Sequence, residues 1–127
     1  MDTPNAKAPG RRGRILVVED DRAARSALDH LLRLHGFEVL LAATIADALK
    51  LAASQPDFIL LDLMLPDGDG IEVLEFIRDR QIRSAVTVIT GSSDPERLAR
   101  VQGLSPKVLL QKPIDFLDIL RNLPQLA

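Results

Sequence analysis

The stretch Asp57-Phe58-Ile59-Leu60-Leu61-Asp62-Leu63-Met64-Leu65-Pro66 decides how this chain is read. Four consecutive apolar residues run into a carboxylate, and three more apolar residues and a proline follow. The run, bounded by Pro56 and Pro66, lacks the apolar–polar alternation of a half-exposed strand. It predicts a strand, Asp57–Leu61, buried on both faces of a parallel sheet. Asp62 then stands at the C-terminal end of that strand, where the backbone leaves the sheet. Open α/β sheets bind ligands in the crevice outside these ends. An isolated Asp after a strand serves equally well as a turn former or helix cap, so its neighbours in the fold decide its role.

Working outward, strands and helices alternate five times. Arg14-Ile15-Leu16-Val17-Val18 is a short apolar run that ends in acids, Glu19, Asp20 and Asp21. A helix follows with Ala24, Leu28, Leu31 and Leu32 at helical spacing, Asp20 or Asp21 as its cap and Gly36 at its end. Phe37–Ala43 is the second strand, and Thr44 caps a helix reaching about Ser54. After the central strand comes an Asp/Gly loop, Pro66–Gly70, then a helix marked by Ile71, Leu74 and Ile77 and ending near Arg80. Ala85–Thr90 is the fourth strand. Asp94-Pro95-Glu96 is a strong helix start, and that helix stops at Gly103. Val108–Gln111 makes the fifth strand and runs into Lys112-Pro113. Asp115 caps a last helix whose inner face reads Leu117, Leu120 and Leu123. This alternation predicts an α/β fold, a doubly wound five-stranded parallel sheet with helices on both faces.

At 127 residues there is one domain, placed at 14–124, behind a basic leader at 1–13 that reads as flexible. Lys7, Arg11, Arg12 and Arg14 against Asp2 leave residues 1–14 at +3, so the rest of a chain of net charge −2 carries −5. That balance argues against direct nucleic-acid binding. No apolar run approaches the length of a membrane span, and the chain has no cysteine. A cytoplasmic domain with no membrane insertion is expected.

The strand ends gather Glu19 and Asp20, Asp62, Thr90 and Lys112. Crowded carboxylates are hard oxygen donors of the kind that suit Mg²⁺, with Mn²⁺ as a substitute. A lysine and a small hydroxyl across the same site supply what a phosphoryl group needs. Two other patterns fail: Asp67-Gly68-Asp69-Gly70 lacks the ligand ladder of a calcium loop, and His30 and His35, five apart, share no helix face.

These residues resemble the receiver domain of two-component response regulators, single-domain receivers included. The resemblance runs from Arg14 to about Leu123 and rests on several motifs together. They are Val17-Val18-Glu19-Asp20-Asp21, Leu60-Leu61-Asp62-Leu63-Met64-Leu65-Pro66 with Gly68 and Gly70, the Thr90 strand end, and Lys112-Pro113. The resemblance implies a flavodoxin-like (βα)5 sheet of order 2-1-3-4-5 and a cis peptide at Lys112-Pro113. It implies Asp62 as acceptor of a phosphoryl group from a sensor histidine kinase or histidine phosphotransfer protein. Asp20 would be a direct metal ligand, Glu19 would hold metal-bound waters, and Asp62 and the Met64 backbone carbonyl would complete the protein ligands. Thr90 and Lys112 would grip the phosphoryl oxygens; Asp21 is assigned a capping role, with support of the metal's waters as the alternative. A downstream protein would dock on the face made by the fourth helix, fifth strand and fifth helix. The chain would be a signalling acceptor and not an enzyme with a substrate to turn over.

Three positions depart from that pattern, all on the signalling face. Leu109 stands where Tyr or Phe is usual, Gly91 where Ala is usual, and Ser105-Pro106-Lys107 replaces an acidic pair. Two rivals remain on the sequence. A phosphatase of the haloacid-dehalogenase type needs a second Asp two residues after its nucleophile, where Met64 stands. A pseudo-receiver working without phosphorylation would have no need of the full acid, Thr and Lys set.

Overall fold

The computed structural model describes residues 12–123. The elements run β1 (Arg14–Val18), α1 (Arg22–Leu34), β2 (Glu38–Ala42), α2 (Ile45–Ala52) and β3 (Phe58–Asp62). Two short strands follow, β4 (Met64–Leu65) and β5 (Gly68–Asp69), then α3 (Ile71–Asp79), β6 (Ala85–Thr90), α4 (Pro95–Gly103), β7 (Val108–Gln111) and α5 (Phe116–Asn122). The main sheet is parallel throughout, in the order β2-β1-β3-β6-β7. With the two short strands set aside this is the expected order 2-1-3-4-5. β4 and β5 pair antiparallel outside it, Met64 opposite Asp69 and Leu65 opposite Gly68, where the sequence suggested only a loop.

Strand alternation sorts the core into two layers. Leu16, Val18, Ile59, Leu61, Val86 and Val88 pack on one side with α2, α3 and α4 residues such as Ala48, Leu74 and Val101. Ile15, Val17, Phe58, Leu60 and Ile89 pack on the other with Leu32 and Ile119 from α1 and α5. Every residue of β3 is buried, which is why its sequence shows no polar alternation. Each buried aliphatic side chain of this kind contributes roughly 1.5–3 kcal/mol. Asp62 ends this strand, and the strand's burial leaves it little freedom of position.

The helix starts are capped by the residues that the sequence marked. Asp21 accepts from Ala24 N–H at 2.8 Å, Thr44 from Asp47 N–H at 3.1 Å, Asp94 from Glu96 N–H at 3.2 Å and Asp115 from Asp118 N–H at 3.1 Å. On α5 one expectation fails. Leu117 is 57% exposed, while Ile119 and Leu123 are buried and Phe116 and Leu120 pack beside them. The inward stripe follows the spacing Phe116, Ile119, Leu120, Leu123, and Leu117 lies across the helix from Ile119. Of the expected leader, residues 1–11 lie outside the described residues, as does residue 124 at the other end. The leader's last two residues are held against the start of β2 and the turn before it: Arg12 N–H donates to Gly36 O and Glu38 N–H to Gly13 O, both at 2.9 Å.

Behind the central strand, Gly70 packs tightly against the backbone. A Cβ there would lie 2.7 Å from Leu63 Cα and 2.8 Å from Asp62 O, and backbone cannot yield cheaply. Gly70→Ala should therefore cost about 1–3 kcal/mol in denaturant unfolding. Gly91→Ala, where nothing lies within 4 Å of the added carbon, should stay within about 0.5 kcal/mol of the parent. Equal losses at the two positions would contradict this packing.

Candidate phosphoryl and metal site

Because β1 and β3 are neighbours with Val18 opposite Leu61, the acids after β1 meet the acid that closes β3. One carboxylate oxygen from each of Glu19, Asp20 and Asp62 lies within 4.8 Å of the others. Lys112, just past β7, reaches across β6 to this cluster. Its Nζ donates to Asp62 Oδ2 at 2.7 Å and stands 4.0 Å from Glu19 Oε1. Its backbone is tied down too, Lys112 N–H donating to Thr90 O at 2.8 Å. The Lys112-Pro113 peptide is cis, as the resemblance implied.

Asp62 is only 3% exposed, and both its oxygens are engaged, Oδ1 by Met64 N–H at 3.0 Å and Oδ2 by Lys112. One ammonium facing three carboxylates leaves a surplus of negative charge in a half-dry pocket. The titrating neighbours register it. Burial pushes the Glu19 carboxyl above its ordinary value; the Asp21 N–H bond and Lys112 pull it down, but the Asp62 charge adds to the rise. Burial alone would lower the Lys112 ammonium, yet its bond to Asp62 and the charges of Asp62, Glu19 and Asp20 outweigh this and hold it above the usual lysine value.

Thr90 is fully buried at the end of β6. Its hydroxyl oxygen accepts from Ser92 N–H at 3.0 Å, which leaves its own proton free to donate. The Met64 side chain is 59% exposed. Glu19, Asp20, Asp62 and Lys112 thus meet directly, Thr90 is joined to Lys112 through the backbone, and Met64 touches Asp62 by its N–H. Asp21 is occupied with capping α1. The Asp67 and Asp69 carboxylates are turned to other work: Asp67 accepts from Ile45 N–H at 2.8 Å and Ala46 N–H at 3.2 Å, and Asp69 from Ile71 N–H at 3.0 Å and Arg97 Nη2 at 2.9 Å. His30 is exposed on α1 and His35 just past its C-terminal end, outside the cluster, His35 with its ring 5.4 Å from that of Phe116.

Two basic residues escaped the sequence reading. Arg25 Nη1 donates to Glu19 O at 3.0 Å and Asp20 O at 3.2 Å, bracing the acid-bearing turn from α1. Arg97, on α4, donates to Asp69 and to Leu63 O at 3.3 Å. Arg25 lies one helical turn past the Asp21 cap, a spacing that could have marked it; nothing local marks Arg97. Beside the cluster a cavity of about 720 Å³ opens between α1 and α5, lined by Ala24, Leu28, Phe116 and also by Glu19 and Lys112.

The raised Glu19 value has a pH consequence. The native protein binds more protons than the unfolded chain above the ordinary Glu value of 4.5, so this group lowers stability as pH rises through that window. In metal-free protein Glu19→Gln, which can still accept from Asp21 N–H, should melt a few degrees higher than the parent at pH 7.5. The gain should shrink towards zero below pH about 4.5. A mutant that melts lower at pH 7.5, or a gain that grows on acidification, would contradict a repelled carboxylate.

Comparison with known proteins agrees with this geometry. The model of the response regulator receiver domain family matches residues 15–123. The chain is 34% identical over 110 residues to the regulator of RpoS of Escherichia coli K12, covering 86% of this chain and 33% of that protein. It is 45% identical over 91 residues to the KDP operon transcriptional regulatory protein KdpE of the same strain, covering 71% and 39%. The chain spans a third to two fifths of the length of these two relatives. Among solved structures, the DNA-binding LuxR-family response regulator from Staphylococcus aureus superimposes with a TM-score of 0.80 at 26% identity, over 87% of this chain and 94% of that one. The CheY-like receiver domain protein from Methanospirillum hungatei gives 0.77 at 29% identity, over 85% and 87%. With the flavodoxin-like sheet and the acid–lysine cluster already in place, these matches show that the chain belongs to the response regulator receiver domain family.

Proposed function

We propose that Asp62 accepts a phosphoryl group from the phosphohistidine of a sensor histidine kinase or histidine phosphotransfer protein. The observation that carries this reading is the pairing of a 97%-buried strand-end carboxylate with Lys112 at 2.7 Å, beside two further acids. An Asp62 oxygen forms the bond to phosphorus, the phosphorus–nitrogen bond of the donor breaks, and its electron pair leaves with the imidazole. Both Asp62 oxygens are oriented beforehand, so the acceptor pays little further entropy at the moment of transfer. As negative charge moves onto the transferred group, the Lys112 ammonium follows from Asp62 Oδ2 to a phosphoryl oxygen, and the Thr90 hydroxyl donates to another.

The donor set fits a hard divalent cation, since three carboxylate oxygens within 4.8 Å carry more charge than one lysine balances. Mg²⁺, or Mn²⁺ in its place, would be held by Asp20 and Asp62, with the Met64 carbonyl and waters supported by Glu19. Bound there, it would neutralise charge on the acceptor and the incoming phosphoryl oxygens. The groove between α1 and α5 opens beside the cluster and gives the donor protein a way to reach it.

The output is a change of partner affinity through the face of α4, β7 and α5. Leu109 on β7 packs half-buried against the α2–α4 side of the core. It has no ring to swing inwards when Thr90 engages a phosphoryl group, so the read-out runs through movement of the β6–α4 segment. Among the described residues no helix is long and apolar enough to cross a membrane, and the site of action proposed is the cytoplasm.

Acetyl phosphate with Mg²⁺ should add one hydroxylamine-labile phosphoryl group per chain, read by intact mass. Asp62→Asn should take up none, and Asp20→Asn should label at least about tenfold more slowly. Labelling of Asp62→Asn at the parent rate would overturn the assignment.

A further inference from the structure

The β4–β5 hairpin carries a duty in the site that its sequence does not announce. Two residue pairs make a ladder too short to hold a shape by itself. Yet its first residue supplies the N–H that orients Asp62 Oδ1 at 3.0 Å. Something must hold the hairpin, and at its tip Asp67 does. The carboxylate spans 22 residues of sequence to accept from Ile45 N–H at 2.8 Å, and also accepts from Ala46 N–H at 3.2 Å. These are two of the orphan donors at the start of α2. The positive end of that helix favours the charge, and the Ile45 N–H bond leads in holding the Asp67 carboxyl below its ordinary value. Next along the chain, Gly68 sits so close to α2 that a Cβ would lie 3.0 Å from Ile45 Cδ1.

Capping alone does not account for Asp67, because α2 has a cap of its own. Thr44 Oγ1 accepts from Asp47 N–H at 3.1 Å. Thr44 serves the helix from within its own turn. Asp67 serves it from across the fold and so fastens the hairpin to it.

We infer that Asp67 is a positioning residue: by tying the β4–β5 hairpin to the start of α2 it fixes the Met64 backbone and, through Met64 N–H, the pose of the Asp62 carboxylate. The metal part of the test below rests on the proposed function, and the amide part does not. In the full chain without metal, Asp67→Ala should speed hydrogen exchange at Met64 N–H about fivefold or more, as the loss of one cap bond predicts. It should also weaken Mg²⁺ binding, followed by calorimetry, about tenfold. Asp67→Asn, which keeps one acceptor oxygen, should fall between Asp67→Ala and the parent on both counts. Thr44→Ala should lower the melting temperature yet leave both readouts within about twofold of the parent. Unchanged Met64 exchange in Asp67→Ala, or an equal loss in Thr44→Ala, would overturn the inference. If the parent takes up no Mg²⁺ but Met64 exchange responds as stated, the positioning role stands and the metal reading falls.

Discussion

Bringing three carboxylates to the ends of two adjacent buried strands, with a single ammonium to face them, is the constraint on which the rest of this molecule turns. Glu19 and Asp62 are both nearly out of solvent, where unpaired charge is costly. The fold does not relieve that cost by scattering the acids. It holds them in place with a set of donors: Met64 N–H and Lys112 Nζ on Asp62, Asp21 N–H on Glu19, and the Arg25 guanidinium on the Glu19 and Asp20 carbonyls. Such a site remains short of positive charge. That shortage suits the site to a divalent cation, and only with one in place to the phosphoryl transfer proposed for Asp62.

The apolar β3 and the acids, hydroxyl and lysine at the strand ends could be seen in the sequence because burial and chemistry are written there directly. A strand covered on both faces must be apolar throughout, and Phe58 to Leu61 are. Helix caps are local, so Asp21, Thr44, Asp94 and Asp115 could be read from a few residues each. The β4–β5 hairpin could not, because two pairs of residues give no periodicity to detect. Asp67, Asp69 and Arg97 act across 21 to 34 residues, and sequence spacing carries no trace of such partners. Leucines at spacing three suggest an inward stripe through Leu117, whereas Phe116 and Ile119 join Leu120 and Leu123 in the inward positions on α5.

The departures from the family pattern all concern how a signal would leave the site. With Leu109 in place of an aromatic ring, α4 has another physical link to the acceptor loop. Arg97 joins α4 to Asp69 at 2.9 Å and to Leu63 O at 3.3 Å, the residue next to Asp62. An ion pair of this kind is partly exposed, with side-chain exposures of 23% and 42%, so its own contribution to stability is small. Its interest lies in what it connects, since any strain in the loop after Asp62 would reach α4 through it.

The central claim is that the acid–lysine cluster is built to hold a phosphoryl group on Asp62. Beryllofluoride, a non-hydrolysable stand-in for that group, tests it without any donor protein. Fluorine NMR of the chain with beryllofluoride should show one bound species per molecule when Mg²⁺ is present. That signal should vanish without Mg²⁺ and in Asp62→Asn. No bound species with the metal present, or one that persists in Asp62→Asn, would contradict the account.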